Sequence, residues 1–247
     1  MIKLVKKIFK RVQQIFLKPI EIFVFHKVSD LYNSDYGCVD DWTQTDIFKQ
    51  NILQLQKKYN FISLDSALNH LKSDVFRYKN YAVLTCDDGY RMILDILPWL
   101  KQNNIPTTIF ISAQYLDGIS YDPWFDDLWK SKSELEIKQL RERMYIQYED
   151  LPFLEVNNIS VGLHGYGHDL VATMSNQDFL QYIDKAKIAI GNKITLKPYY
   201  AYTWGKHSQI TDMALRKKRI TPVYCDGLNN IRFEGALHRK CIDNLII

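Results

Sequence analysis

A chain of 247 residues can bury a full core, and its 47% hydrophobic and 24% charged residues lie in the ordinary globular range. The net charge of +4 is too mild to argue for nucleic acid, and no nucleic-acid partner is expected. Four scattered cysteines, Cys38, Cys86, Cys225 and Cys241, lack CxxC spacing; they exclude a disulfide framework and read as reduced thiols of a cytosolic protein.

Much of the positive charge is local. Ile2, Val5, Phe9, Val12 and Phe16 recur at helical spacing, with Lys3, Lys6, Lys7, Lys10, Arg11 and Lys18 between and after them and no acid. The lysines break any run long enough for a membrane span, and no signal-peptide core or cleavage site is present. Residues 1–18 therefore read as a basic amphipathic helix, either lying on an anionic membrane surface or packed on the domain that follows, residues 19–247.

From there apolar strands alternate with helices. Strands are expected at Ile20–Phe25, Tyr81–Cys86, Thr107–Ser112, Ile159–Leu163, Pro198–Thr203, Thr221–Cys225 and near Leu237–Ile242. Helices are expected at Phe48–Tyr59, Leu64–Leu71, Met92–Gln102, Asn176–Ile190 and Ile210–Lys218, with one or two exposed helices over Pro123–Tyr148. About seven strands separated by helices is the pattern of parallel βαβ units, hence an α/β fold.

In such folds reactive groups collect at the C-terminal ends of strands. Asp87 and Asp88 follow the second strand, His164 the fourth and His26 the first, while Tyr202–Gly205 close the fifth. Two imidazoles four residues apart, His164 and His168, with a carboxylate from another strand can hold a metal ion and leave one coordination position open. That leaves one aspartate free to act as a base on water.

These residues stand in recognisable motifs. Thr85-Cys86-Asp87-Asp88-Gly89 resembles TFDDG, His164-Gly165-Tyr166-Gly167-His168 resembles H-[ST]-x-x-H, and Tyr200-Ala201-Tyr202-Thr203-Trp204-Gly205 resembles FAYPYG. With Phe25-His26-Lys27-Val28 in the position of a YHRV segment, the chain resembles the short FAYPYG branch of the polysaccharide deacetylase family, carbohydrate esterases with the NodB homology domain. The resemblance runs from about Ile20 to the C-terminus. It implies a distorted (β/α) barrel and makes residues 19–247 a deacetylase-like catalytic domain.

It also implies roles. Asp88, His164 and His168 would hold one divalent ion, zinc first, with cobalt or nickel as alternatives. Asp87 would be the general base. His26 would be the general acid, with His238, one residue off a Leu-x-His motif, as its rival. The Trp204-Gly205 turn would offer a backbone N–H to the oxyanion, with Tyr202 beside it. Thr203 stands where the motif has proline and predicts a less rigid turn. The aromatic segment holding Trp124 and Trp129 is either a sugar-binding wall or a hydrophobic plug, whereas His70 and His207 receive no role.

The implied reaction is metal-dependent removal of an N-acyl group, acetyl first, from an amino sugar. The alternatives are a deformylase or other non-peptide C–N hydrolase on the same scaffold, and a catalytically silent glycan-binding relative. The substrate would be an N-acetylated glycan or a lipid-linked sugar met inside the cell during surface-polysaccharide synthesis. Residues 1–18 would allow peripheral contact with the inner face of the membrane.

Overall fold

The computed structural model describes residues 17–30, 34–37, 41–73 and 77–243. The expected helix over residues 1–18 falls almost wholly outside them, and Leu17–Pro19 lead into the first strand without regular structure. Strands are β1 Ile20–Phe25, β2 Lys27–Val28, β3 Trp42–Thr43, β4 Asn60–Phe61, β5 Tyr81–Cys86, β6 Thr107–Ile111, β7 Ser160–Leu163, β8 Leu196–Ala201, β9 Thr221–Tyr224, β10 Leu237–His238 and β11 Lys240–Cys241. The α-helices are α1 Thr45–Lys58, α2 Leu64–Lys72, α3 Leu97–Gln102, α4 Phe125–Trp129, α5 Glu134–Met144, α6 Leu151–Val156, α7 Asn176–Ile190 and α8 Gln209–Lys217.

The main sheet runs β10-β9-β8-β7-β6-β5-β1-β11, with every pair parallel and β4 added beside β5. Strands β10 and β11 are two halves of one run broken at Arg239. Its first half pairs with β9 (Leu237↔Val223) and its second with β1 (Phe23↔Lys240), so one segment closes the barrel. Counted as staves, that gives the seven strands expected from the sequence.

Period-two alternation sorts the strand residues. Ile20, Ile22, Val83, Phe110, Tyr199, Ala201, Val223 and Leu237 pack together in one cluster with Leu64, Ala67, Leu68 and Leu71 of α2. Their strand neighbours Phe23, Phe25, Leu84, Ile109, Ile111, Val161, Leu163 and Tyr200 face the other way, against α1, α3, α6, α7 and α8. The first set marks the lumen, and following its parity past the strand ends shows which side chains arrive at the barrel mouth.

Three departures from the expected elements have local causes. The helix expected over Met92–Gln102 is a 3-10 turn, Arg91–Ile96, followed by α3, because Pro98 is accommodated only in the first turn of a helix. Strand β8 begins at Leu196, two residues before Pro198. The ladder skips there, Val161 pairing with Leu196 but Leu163 with Tyr200, since proline lacks the N–H a regular pairing needs. Helix α6, unexpected from sequence, is a single short segment that also starts with a proline in its first turn.

Candidate active site

The lumen parity carries His26, Asp87, His164, Cys225, Arg239, Cys241 and Asp243 to the C-terminal rim. Asp88 is out of phase and gets there through a turn. Asp88 (φ 66°) and Gly89 (φ 72°) are both left-handed, and the Gly89 N–H donates to the Asp87 carbonyl at 2.8 Å. Aspartate tolerates this conformation better than most residues, and at Gly89 a Cβ would sit 3.0 Å from the Ile111 side chain. The turn splays two consecutive carboxylates: Asp87 into the barrel, Asp88 towards the two histidines.

Asp88 Oδ1 lies 3.0 Å from His164 Nε2 and 3.4 Å from His168 Nε2. A four-coordinate zinc ion with bonds of about 2.0–2.1 Å sets its ligand atoms about 3.3 Å apart; both separations from Asp88 are near that length, and all three donors lie within 4.8 Å of one another. Both rings are fixed from behind. His164 Nδ1 donates to the Ala201 carbonyl (2.9 Å) and His168 Nδ1 to Asp122 Oδ2 (2.8 Å), which aims each Nε2 at the shared point. The donor set therefore fits a divalent ion with an open position.

Electrostatics agree with the geometry. Burial opposes charge on Asp88, but His168 and His164 outweigh it and hold the carboxyl well below the usual range. Burial likewise disfavours the His168 cation, yet Asp88 and Asp122 push its pKa up to about 10. The site demands a positive charge.

The loop between the two histidines is tied down. The Ala113 and Gln114 N–H groups donate to the Gly165 and Tyr166 carbonyls at 3.1 and 2.7 Å, and Tyr115 Oη accepts from the His168 N–H at 3.1 Å. Gly165 (φ 108°) is required, because a Cβ would lie 2.7 Å from Tyr182 Oη.

Asp87 and His26 flank this centre, each with a partner that the sequence reading missed. Arg239 meets Asp87 through two parallel hydrogen bonds, Nη1 to Oδ1 at 2.6 Å and Nη2 to Oδ2 at 2.7 Å. Burial raises the Asp87 pKa, but the guanidinium more than offsets this and keeps the carboxyl below its ordinary value. His26 Nδ1 lies 2.5 Å from Asp243 Oδ2, while its backbone N–H donates to Asp243 Oδ1 at 3.0 Å. Burial again opposes the cation, and Asp243 with Cys241 wins, raising the His26 pKa well above normal. Both partners belong to the run expected as the last strand, near Leu237–Ile242, whose pairing with β1 as well as β9 was not foreseen.

His26, Asp87, Asp88, His164 and His168 line one cavity of about 380 Å³. His238 does not. It has the opposite parity to Arg239, and its Nδ1 bonds Asp226 at 2.8 Å. A larger hollow of about 540 Å³, between the end of α7 and the start of β8, holds none of these groups.

The third motif forms the cavity's next side. Trp204 (φ 58°) and Gly205 (φ 61°) are left-handed, and the Gly205 N–H is engaged by the Tyr202 carbonyl at 3.1 Å. Gly205 thus shapes the turn rather than donating from it, which leaves the Trp204 amide as the turn's candidate donor. Tyr202 bonds Asp212 through its hydroxyl at 2.9 Å and contributes ring surface only. The turn is not loosened by Thr203, whose buried hydroxyl donates to the Asp169 carbonyl and ties this loop to the histidine loop. Cys86, in the motif's phenylalanine position, is fully buried and points its Sγ at the His26 carbonyl (3.4 Å).

The aromatic segment divides between its two expected roles. Trp124 is half exposed and lines the cavity. Trp129 is 1% exposed, stacked on Phe125 at 5.0 Å with its indole N–H on the Asp35 carbonyl, so it has no face left for a ligand. Lys27 and Asp41, paired at 2.6 Å with the ammonium 4.4 Å from the centre of the Tyr90 ring, complete the wall. Nothing in the sequence marked Asp41, and Asp122 stood out only as part of the aromatic segment, not as the partner of His168.

Comparison with known proteins agrees with the fold. The profile of the polysaccharide deacetylase family matches residues 77–223. Among solved structures, IcaB from Ammonifex degensii superposes with a TM-score of 0.69 at 16% identity, covering 92% of each chain. The Streptococcus pyogenes deacetylase PplD, in complex with acetate, gives 0.70 at 14% identity over 91% of this chain and 92% of its own. A de-N-acetylase from Aggregatibacter actinomycetemcomitans gives 0.70 at 14% identity over 92% and 95%. No curated protein sequence matches significantly. A profile match over more than half of its length places this protein in the polysaccharide deacetylase family, hydrolases of carbon–nitrogen bonds.

Proposed function

We propose that the protein is a metal-dependent de-N-acylase that releases acetate from an N-acetylated amino sugar of a glycan or glycan precursor. The observation that carries this reading is the convergence, in one cavity, of a three-donor cation site with an arginine-held carboxylate and an aspartate-held imidazole. The printed description of the Aggregatibacter protein as a de-N-acetylase supports the same chemistry.

Asp88, His164 and His168 would hold the ion, zinc first with cobalt or nickel as alternatives, which when bound polarises the acyl carbonyl and acidifies water. Asp87 takes the proton of the attacking water. Each of its oxygens has a lone pair left after bonding Arg239, so the pairing orients the base without blocking it. The Trp204 amide, in the turn that lines the cavity, would be the donor to the charge developing on the carbonyl oxygen. His26, kept protonated by Asp243, then gives its proton to the sugar nitrogen as the C–N bond breaks, leaving acetate and a free amine. Trp124 and the exposed Trp204 ring offer apolar faces to a sugar on two sides of the centre.

Intracellular action on a lipid-linked precursor, at the inner face of the membrane, rests on the basic amphipathic pattern of residues 1–18. Among the described residues no helix is long and apolar enough to cross a membrane. The test is acetate release from a panel of N-acetylated and N-formylated amino sugars, oligomers and lipid-linked sugars by the zinc-loaded protein. Acetate from the N-acetylated members is expected. Formate release alone, or no release from any member, would overturn the assignment.

A further inference from the structure

A second group of metal-binding atoms stands beside the first. On the closing run, Cys241 Sγ donates to Asp243 Oδ2 at 3.2 Å, and the same oxygen lies 2.5 Å from His26 Nδ1. One ligand atom from each of the three residues lies within 4.8 Å of the other two. The register explains the grouping. Val24 pairs with Cys241, so His26 and Asp243, each two residues further on, meet on the same side of the two strands. Cys241 is exposed, which gives an ion in solution a way in.

The donors differ in kind from those around Asp88. A thiolate, an imidazole and a carboxylate make a softer set than one carboxylate and two imidazoles, and thiolate ligands favour zinc and its thiophilic relatives. We propose that His26, Cys241 and Asp243 form a second, inhibitory site for a thiophilic divalent cation, distinct from the Asp88-His164-His168 centre. Binding there displaces two protons to solvent, one from the Cys241 thiol and one from between His26 and Asp243. The His26 ring, coordinated through Nδ1, can no longer be the protonated acid, and Asp243 no longer holds it as a cation. Excess zinc therefore shuts off an enzyme that its first zinc equivalent switches on. The inhibitory half rests on His26 being the acid proposed above; the site itself does not.

The experiment separates the two. Chelator-treated protein is titrated with cadmium, with bound metal followed by equilibrium dialysis and thiolate ligation by the sulfur-to-cadmium charge-transfer absorption. Two equivalents are expected, one of them bringing the absorption. Cys241→Ser should keep one equivalent and lose the other together with the absorption, while Cys225→Ser, a thiol outside the group, should keep both. A wild-type stoichiometry of one, or a thiolate band surviving in Cys241→Ser, overturns the site whatever the enzyme hydrolyses. In the parallel zinc titration, acetate release by the wild type should rise to one equivalent and then fall at least tenfold, whereas Cys241→Ser should rise and stay level. A wild-type rate that stays level while Cys241 binds the second ion overturns the inhibition.

Discussion

Arg239 reaches into the barrel lumen and grips Asp87 through both ends of its guanidinium, with the two side chains 0% and 6% exposed. Because Arg239 is the residue at which the closing run passes from β9 to β1, barrel closure and the setting of this carboxylate are one feature. Removing one member of a buried pair strands the other's charge, at about 3–5 kcal/mol. Arg239→Met should therefore lower the unfolding free energy by that order and cut acetate release. Arg239→Lys should lie between, since a point charge cannot reproduce two parallel bonds. Denaturant melts and rates on the same samples check this. Wild-type stability in Arg239→Met would mean the pair is not closed in solution.

The pairing of His26 with Asp243 predicts a pH effect of definite sign. A general acid works protonated, so the rate falls as pH rises through its pKa, and Asp243 raises that pKa. Asp243→Asn removes the raising charge. The alkaline limb of the kcat/KM profile should move to lower pH by about a unit or more, at matched metal content. An unmoved limb would take the acid role away from His26.

Asp122 fixes the His168 ring without entering the donor set. Asp122→Asn should weaken metal affinity about 10–100-fold. At saturating metal, turnover should recover most of its wild-type value. Competition with a chromophoric chelator measures the affinity, and unchanged binding would show that the His168 ring is held by other contacts.

Trp124 lines the cavity from its half-exposed rim. Trp124→Ala should raise KM for an oligosaccharide several-fold while leaving kcat nearly intact, the signature of binding lost equally from ground and transition states. The same change measured on a small acetate ester or an N-acetylated monosaccharide should be smaller. Trp129→Ala, by contrast, opens a core cavity and should cost about 3–5 kcal/mol of stability.

How far the sequence reached follows from what each residue depends on. The strands and α7 were legible because their periodicity is local, and the strand-end rule found Asp87, Asp88, His26 and His164 before any fold was drawn. Arg239 and Asp243 were hidden because their position depends on the last run bridging β9 and β1, a pairing more than two hundred residues apart that no local pattern encodes. Asp122 and Asp41 lie in irregular segments where neither period applies. Trp124 and Trp129 looked alike in sequence, and only the packing of Trp129 on the Phe125 ring and the Asp35 carbonyl separated a rim residue from a core one. The Trp204-Gly205 turn was legible as a unit, but not which of its amides is free: the Gly205 N–H is used by the turn that its own φ makes possible.

The most direct test of the central claim is a zinc titration of chelator-treated protein, with acetate release and bound metal read together. Activity should be absent without metal and reach its maximum at one equivalent, held by Asp88, His164 and His168. Asp87→Asn should bind the same equivalent and turn over about 10²–10⁴-fold more slowly. Full acetate release from metal-free protein, or undiminished release by metal-loaded Asp87→Asn, would contradict the account.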